Sequence, residues 1–217
     1  MTTSEDWSLQ FDLLYNNISS NQAPGLTEYE KSVFLTQAQE AVILDLYKGT
    51  LGDSFETTEE VTRYLSSLVT ENYLKDISSS VERLPMLGYI LSTYNTPEDL
   101  WFLTYQSAAI EIQKNTKQVP VIPVKQDRLF KDLSNPFRKP NKNRVLSLSE
   151  NNKITLYSEY AVGWFHVKYL RRPNPIVLEN SELEVNGVSE FNVEIPESLH
   201  THVLTRAVQM AKAVWQS

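Results

Sequence analysis

The sequence predicts an α+β fold, a helical core into which a small antiparallel β region is inserted. Three observations carry this. Residues 4–75 hold three stretches with apolar residues at helical spacing. Residues 100–172 change to alternating and aromatic-rich runs broken by turn residues. The chain then ends on another helical pattern. The implied organisation is an N-terminal helical part over 1–99, a β insertion with a basic loop over 100–172, and a hairpin with a returning C-terminal helix over 173–217.

The helices come first. Trp7, Phe11, Leu14 and Ile18 step by four, three and four, which predicts an amphipathic helix over 4–20 with Ser4 able to cap it. Residues 27–47 predict a long spine helix. Thr27 and Glu30 have capping-box spacing, and Gly49 suits the left-handed residue that ends a helix. Phe34, Ala38, Ala41 and Val42 form its central apolar row, and Val33, Leu35, Ile43, Leu46 and Tyr47 widen it. Such a wide surface fits packing against more than one neighbour. Thr57 and Glu60 repeat the capping-box spacing, and Val61, Tyr64, Leu65, Leu68 and Val69 predict a third helix over 58–75.

The period then changes. Pro85 and Gly88 make 81–92 irregular or a short edge strand. Residues 100–112 read as a strand. Pro120 and Pro123 confine 119–124 to an edge or an extended link. Residues 127–143 read as a protruding basic loop. Strands over 145–148 and 153–157 flank Glu150-Asn151-Asn152 as a hairpin, and 164–170 is a further strand. Asn186-Gly187 signals a second hairpin by its type I′ turn preference. Pro196 opens the last helix, whose stripe is Leu199, Val203, Ala207, Met210, Ala211 and Val214.

Composition is that of a globular chain: 217 residues, 41% hydrophobic and 22% charged. With no cysteine, thiolate metal sites and disulfides are excluded, and the chain suits a reducing cytosol. No apolar run reaches the roughly 18 residues of a membrane span, and the acidic start lacks signal-peptide features. The net charge of −7 is unevenly placed: residues 114–172 carry 13 Lys/Arg against 4 acids, a surplus of nine, so the remainder carries −16. Opposite signs in two segments suggest contact between copies or a polyanionic partner.

Chemistry is sparse. His200 and His202 lie two apart on a helix, facing different sides, and make a poor metal pair. No phosphate-binding, zinc-protease or nucleophile-elbow string occurs. Acid pairs such as Glu28/Glu30 and Glu59-Glu60 sit at helix starts, where capping explains them. No catalytic residue, metal ligand or cofactor is assigned. Phe130 and Phe137 stand among basic charges, as stacking platforms for nucleic acid do. The interface candidates are Arg128, Phe130, Phe137, Arg138, Lys139, Lys142, Arg144, Arg171, Arg172 and Trp215.

Several strings carry a likeness: FDLLYNNISSNQAPGLTEYEKSVFL from Phe11, NPFRKPNK from Asn135, YLRRPNPIVL from Tyr169 and IPESLH from Ile195. Together they make the chain resemble structural proteins encoded beside the portal gene in crAss-like and related tailed bacteriophages. The resemblance implies a non-enzymatic virion neck component, a head-to-tail connector or adaptor. Such proteins form rings, usually of twelve copies, under the portal and around the DNA channel. It implies homo-oligomeric partners, the portal and adjacent neck or tail rings, DNA passing without sequence-specific binding, and no membrane. It places the protein in the virion neck or tail after assembly in the host cytoplasm. Two alternatives differ in class. One is a nucleic-acid-binding module using the basic 125–144 loop. The other is a hydrolase with dispersed carboxylates, which needs a concave pocket with two facing acids.

Overall fold

The computed structural model describes residues 3–16, 25–49, 59–76, 82–84, 87–113, 115–178 and 191–215. The fold is α+β, in two compact units: residues 1–68 with 172–217, and residues 69–171. The predicted Thr57 cap, Ile18 of the first predicted helix and the Asn186-Gly187 hairpin lie outside the described residues.

The helical unit starts with α1 (Ser4–Asn16). Its cap is Thr3 and not Ser4: the Thr3 hydroxyl accepts from Asp6 N–H (3.2 Å) and the Asp6 carboxylate accepts from Thr3 N–H (3.0 Å). That contact holds the Asp6 carboxyl below its ordinary value. The spine is α2 (Glu28–Lys48), with the Thr27/Glu30 capping box formed and Gly49 left-handed at φ 71°. Its buried face is Leu35, Ala38, Val42, Ile43 and Leu46, together with Lys31, Ser32 and Gln39; Phe34 is only half-buried.

Ser32 and Gln39, with the half-buried Thr36 between them, have a purpose. The extended segment 173–178 runs antiparallel along α2, and each turn of the helix bonds every second residue of it. Ser32 Oγ accepts from Leu178 N–H (3.0 Å), Thr36 Oγ1 accepts from Ile176 N–H (3.1 Å), and Gln39 Nε2 donates to Asn174 O (2.9 Å). A helical turn advances about 5.4 Å and two extended residues about 6.6 Å, so the two periods nearly match over three contacts. Lys31 is the fourth pin. Its ammonium, on a side chain only 4% exposed, reaches Asp12 (2.7 Å) and Glu28 (3.1 Å) and ties α1 to α2. Burial alone would lower its pKa; Asp12 and then Glu28 more than offset this and leave it raised.

The third helix departs from expectation. α3 (Glu59–Leu65) stops after seven residues, and a single 3-10 turn, Ser66–Leu68, follows. Val69–Leu74 is then β1, not helix. Its residues form antiparallel partners of β8 all along, and that pairing overrides a helical spacing carried partly by β-branched residues. The C-terminal helix α5 (His200–Trp215) is entered through the 3-10 turn Glu197–Leu199 after Pro196. Leu199 of that turn and Val203, Leu204, Ala207, Val208 and Ala211 of α5 are buried, while Val214 is 65% exposed.

The β unit holds β2 (Glu82–Arg83), β3 (Ile90–Asn95), β4 (Leu100–Ile112), β5 (Asn115–Pro123), α4 (Gln126–Ser134), β6 (Val145–Glu150), β7 (Lys153–Ser158) and β8 (Val162–Arg171). The sheet order is β1-β8-β4-β5-β6-β7-β3-β2. The sheet is therefore larger than the predicted 100–172 insertion, since 69–95 adds three strands. It also curls. Asp76, just past β1, bridges Tyr94 of β3, and its carboxylate accepts from Thr93 N–H (3.2 Å). Register shifts between β4 and β8 supply the bends a curled sheet needs. Inside lie Tyr94, Ala108, Ile110, Val119, Val121, Ile154, Leu156, Phe165, Val167 and Tyr169, drawn from β3, β4, β5, β7 and β8.

β5 is not an edge strand in the sheet order, yet its prolines are accommodated. Residues 115–120 pair with β4 on one side, and 121–123 pair parallel to β6 on the other. Each half is paired on one side only, so a missing N–H is tolerated as at an edge. The β6–β7 hairpin is as expected, with Asn151 (φ 48°) and Asn152 (φ 57°) forming its turn.

Candidate assembly interface

The basic stretch expected as a loop begins as a helix. In α4, Leu129 and Leu133 are one turn apart and pack on Tyr89, Leu146, Leu148 and Tyr157 outside the sheet. The Tyr89 hydroxyl donates to Leu133 O (3.2 Å). This leaves Phe130 facing solvent at 72% exposure.

The turn after α4 is braced from within. Asn135 Oδ1 accepts from Phe137 N–H (2.9 Å), and Asn135 O accepts from Arg138 and Lys139 N–H (3.0 and 2.9 Å). The Arg144 guanidinium donates to the carbonyls of Phe137 and Lys139. Lys117 donates to Asn143 Oδ1 (2.7 Å). Phe137, 86% exposed, is thus carried on a fixed knob. Seven Lys/Arg and two acids fall within 125–144, and Asp132 is engaged by Arg138 at 3.3 Å.

The candidates therefore separate. Arg128, Phe130, Phe137, Arg138 and Lys142 are exposed on the knob. Lys139 is half-buried and pairs with Glu159 (3.6 Å), and Arg144 is spent on holding the turn. Arg171 ends β8, away from the knob in the fold, and Arg172 opens the second stretch of the helical unit, where it pairs with Glu40 (3.3 Å). The Trp215 side chain lies outside the described residues.

A second surface had no expectation attached. β8 alternates Phe165, Val167 and Tyr169 inward with Trp164, His166 and Lys168 outward. On the outer face the His166 ring lies 4.8 Å from Tyr73 and 6.1 Å from Tyr105, and Trp164 meets Tyr73 edge-on at 5.6 Å. His166 also lies between Ser107 Oγ (3.3 Å from Nδ1) and Glu71 Oε1 (2.7 Å from Nε2). The residue types are those of a hydrolytic triad. The geometry is not. Ser107 is fully buried in mid-strand and its hydroxyl accepts from Gln118 Nε2 (3.1 Å), so no substrate can reach it. Lys168 first, with His166 after it, holds the Glu71 carboxyl below its ordinary value, against a penalty from burial. The network is a clamp between β1, β4, β5 and β8.

An open groove of about 400 Å³ lies at one end of the β unit, lined by Thr96, Glu98, Trp101, Glu150 and Lys153 among others. Two of its lining residues, Glu98 and Glu150, are acids. Both stand exposed, without the burial that tunes a catalytic acid. Among the described residues, no group of three His, Asp or Glu could hold a metal, and no helix is long and apolar enough to cross a membrane. His200 packs edge-on against Trp7 at 5.0 Å and bonds Ile195 O (3.1 Å).

The phage tail ring protein 3/4 family matches residues 1–217. This chain belongs to that family. It is 38% identical to Ring protein 3 of Bacteroides phage crAss001, over 96% of this chain and 94% of the relative. It is 31% identical to Ring protein 4/5 of the same phage, over 97% and 92%. The resemblance drawn from the residue strings is thereby borne out. Its strings include the α2 cap, the knob and the 173–178 segment.

Proposed function

We propose that this chain is a structural protein of a tailed-phage particle that forms a closed ring in the neck. In this reading it is a head-to-tail connector or adaptor, in twelve copies below the portal, with genomic DNA passing through without sequence-specific contact. The observation that carries the reading is the end-to-end match to ring proteins of one phage. Charge supports it. The β unit has 14 Lys/Arg and 10 Asp/Glu, a surplus of four positive; the helical unit has 6 and 17, a deficit of eleven. A ring of identical copies needs two different, complementary surfaces on each copy, with a rotation that closes. Opposite charge sets register and encounter rate, and exposed aromatic anchors supply affinity. An acidic lumen would let DNA slide, because tight non-specific binding comes from Lys/Arg neutralising phosphates.

Replacement of the exposed Phe137, Arg138 and Lys142 by Ser in the phage-encoded chain tests the reading. Particles are expected to lack the neck ring and to lose infectivity, while the purified variant keeps the wild-type circular dichroism spectrum. Normal necks from that variant would refute it.

A further inference from the structure

We propose that the knob of one copy seats on the exposed face of α1 of the next copy, and that this is the contact that repeats around the ring. The proposal rests on the ring-assembly reading and names the two surfaces that reading requires.

The donor surface is the knob. Phe130 and Phe137 are 72% and 86% exposed, and the brace of Asn135 and Arg144 holds the turn that carries Phe137. Phe130 stands on α4 and Phe137 on the braced turn that follows it, and two such exposed aromatic rings within eight residues mark a candidate interaction site. Arg128, Lys131 and Lys142 belong to the same 125–144 stretch and are also exposed.

The acceptor must be apolar, acidic and different from the knob. In the helical unit the exposed large apolar residues among those described are Leu9, Leu13, Tyr29 and Val214. Two of them, Leu9 (63%) and Leu13 (64%), are one turn apart on α1, so they form one stripe about 6 Å long. The opposite side of α1, with Trp7, Phe11 and Tyr15, is buried, so this stripe is the outward face. Glu5 and Asp6 extend that face at its start, and α1 contains three acids and no Lys or Arg. An apolar pair with acid at one end, on a helix of uniform sign, matches two exposed phenylalanines on a stretch with a basic surplus. The match is heterologous, so each copy carries one of each and the contact can repeat around a ring.

The chain has no cysteine, which makes disulfide trapping clean. Phage particles would be assembled with the double variant Leu13→Cys/Phe137→Cys, oxidised, and run without reductant. A ladder of dimer, trimer and higher species is expected, whereas either single variant gives no ladder. Leu13→Cys/Tyr73→Cys serves as the control pair and is expected to give none. Rings visible in the particles without a ladder from the Leu13/Phe137 pair would overturn this contact and leave the ring reading intact. Particles in which this chain forms no ring would overturn both.

Discussion

In the helical unit, polar side chains inside the packing decide where segments lie. Ser32, Thr36 and Gln39 fix the register of 173–178 on α2, and Lys31 fixes α1. In the β unit the cluster enclosed by the sheet is apolar, and the buried polar side chains bond one another, as in Gln106–Ser147 (3.0 Å) and Ser107–His166 (3.3 Å), and do not pin an extended segment. Its exposed aromatic residues stand in the knob and around the His166 clamp. The difference teaches that the two units are specified in different ways. The sheet gets its register from alternation and its own backbone ladder, which leaves outward side chains free for other purposes. An extended segment against a helix has no such ladder, so side chains must supply the bonds.

Several substitutions would break or sharpen this contrast. The largest effect is expected on assembly and not on folding. Phe130→Asp with Phe137→Asp should lower infectious titre by at least about a hundredfold, the consequence of losing aromatic anchors worth about 2 kcal/mol or more each at an interface. The melting temperature of the purified chain should stay within about 2 °C, because both rings are solvent-exposed. A large loss of melting temperature would show that the knob serves folding.

Next comes the sheet interior. Phe165 is fully buried among Tyr94 and its neighbours, so Phe165→Ala should cost about 4 kcal/mol in denaturant unfolding. Lys31→Met should cost less, about 2 kcal/mol, since Asp12 is 42% exposed and can turn to water once unpaired. Thr36→Val preserves shape but leaves the Ile176 N–H without its hydroxyl acceptor, for about 1–2 kcal/mol. If Thr36→Val proved neutral, the polar pins would not be what positions 173–178.

The smallest effect is one of pH. Glu71 has a depressed pKa in the fold, so its contribution is present above the ordinary value of 4.5 and is lost as pH falls through the folded value. The stability difference between the chain and its Glu71→Gln variant should therefore shrink toward zero on acidification below pH 4.5, followed by melting temperature.

Some of this was legible in the residues. The α2 capping box, Gly49, the β4 span and the Asn151-Asn152 turn each have a local cause written in adjacent positions. α3 was over-extended because Val61, Leu65, Leu68 and Val69 keep helical spacing across a boundary set only by pairing with β8. The α4 helix is hidden by the prolines after it and by its short apolar content of Leu129, Phe130 and Leu133. The Ser32-Thr36-Gln39 stripe has helical period and could have been found by asking why polar residues recur on an apolar helix. The aromatic face around His166 needed the curled sheet to bring Tyr73, Tyr105 and Trp164 together, and no single stretch contains it. Within the interface candidates, the exposed knob residues could be named from charge and proline content. That Arg144 is a brace depends on a turn geometry that spacing does not encode.

The central claim is that this chain works as a closed ring in the particle. Native mass measurement of the neck complex released gently from purified virions tests it most directly. The account predicts a species built from copies of the 25.0 kDa chain, about 300 kDa for twelve with closed symmetry. Particles that contain the chain only as a 25.0 kDa monomer, or do not contain it at all, would contradict the account.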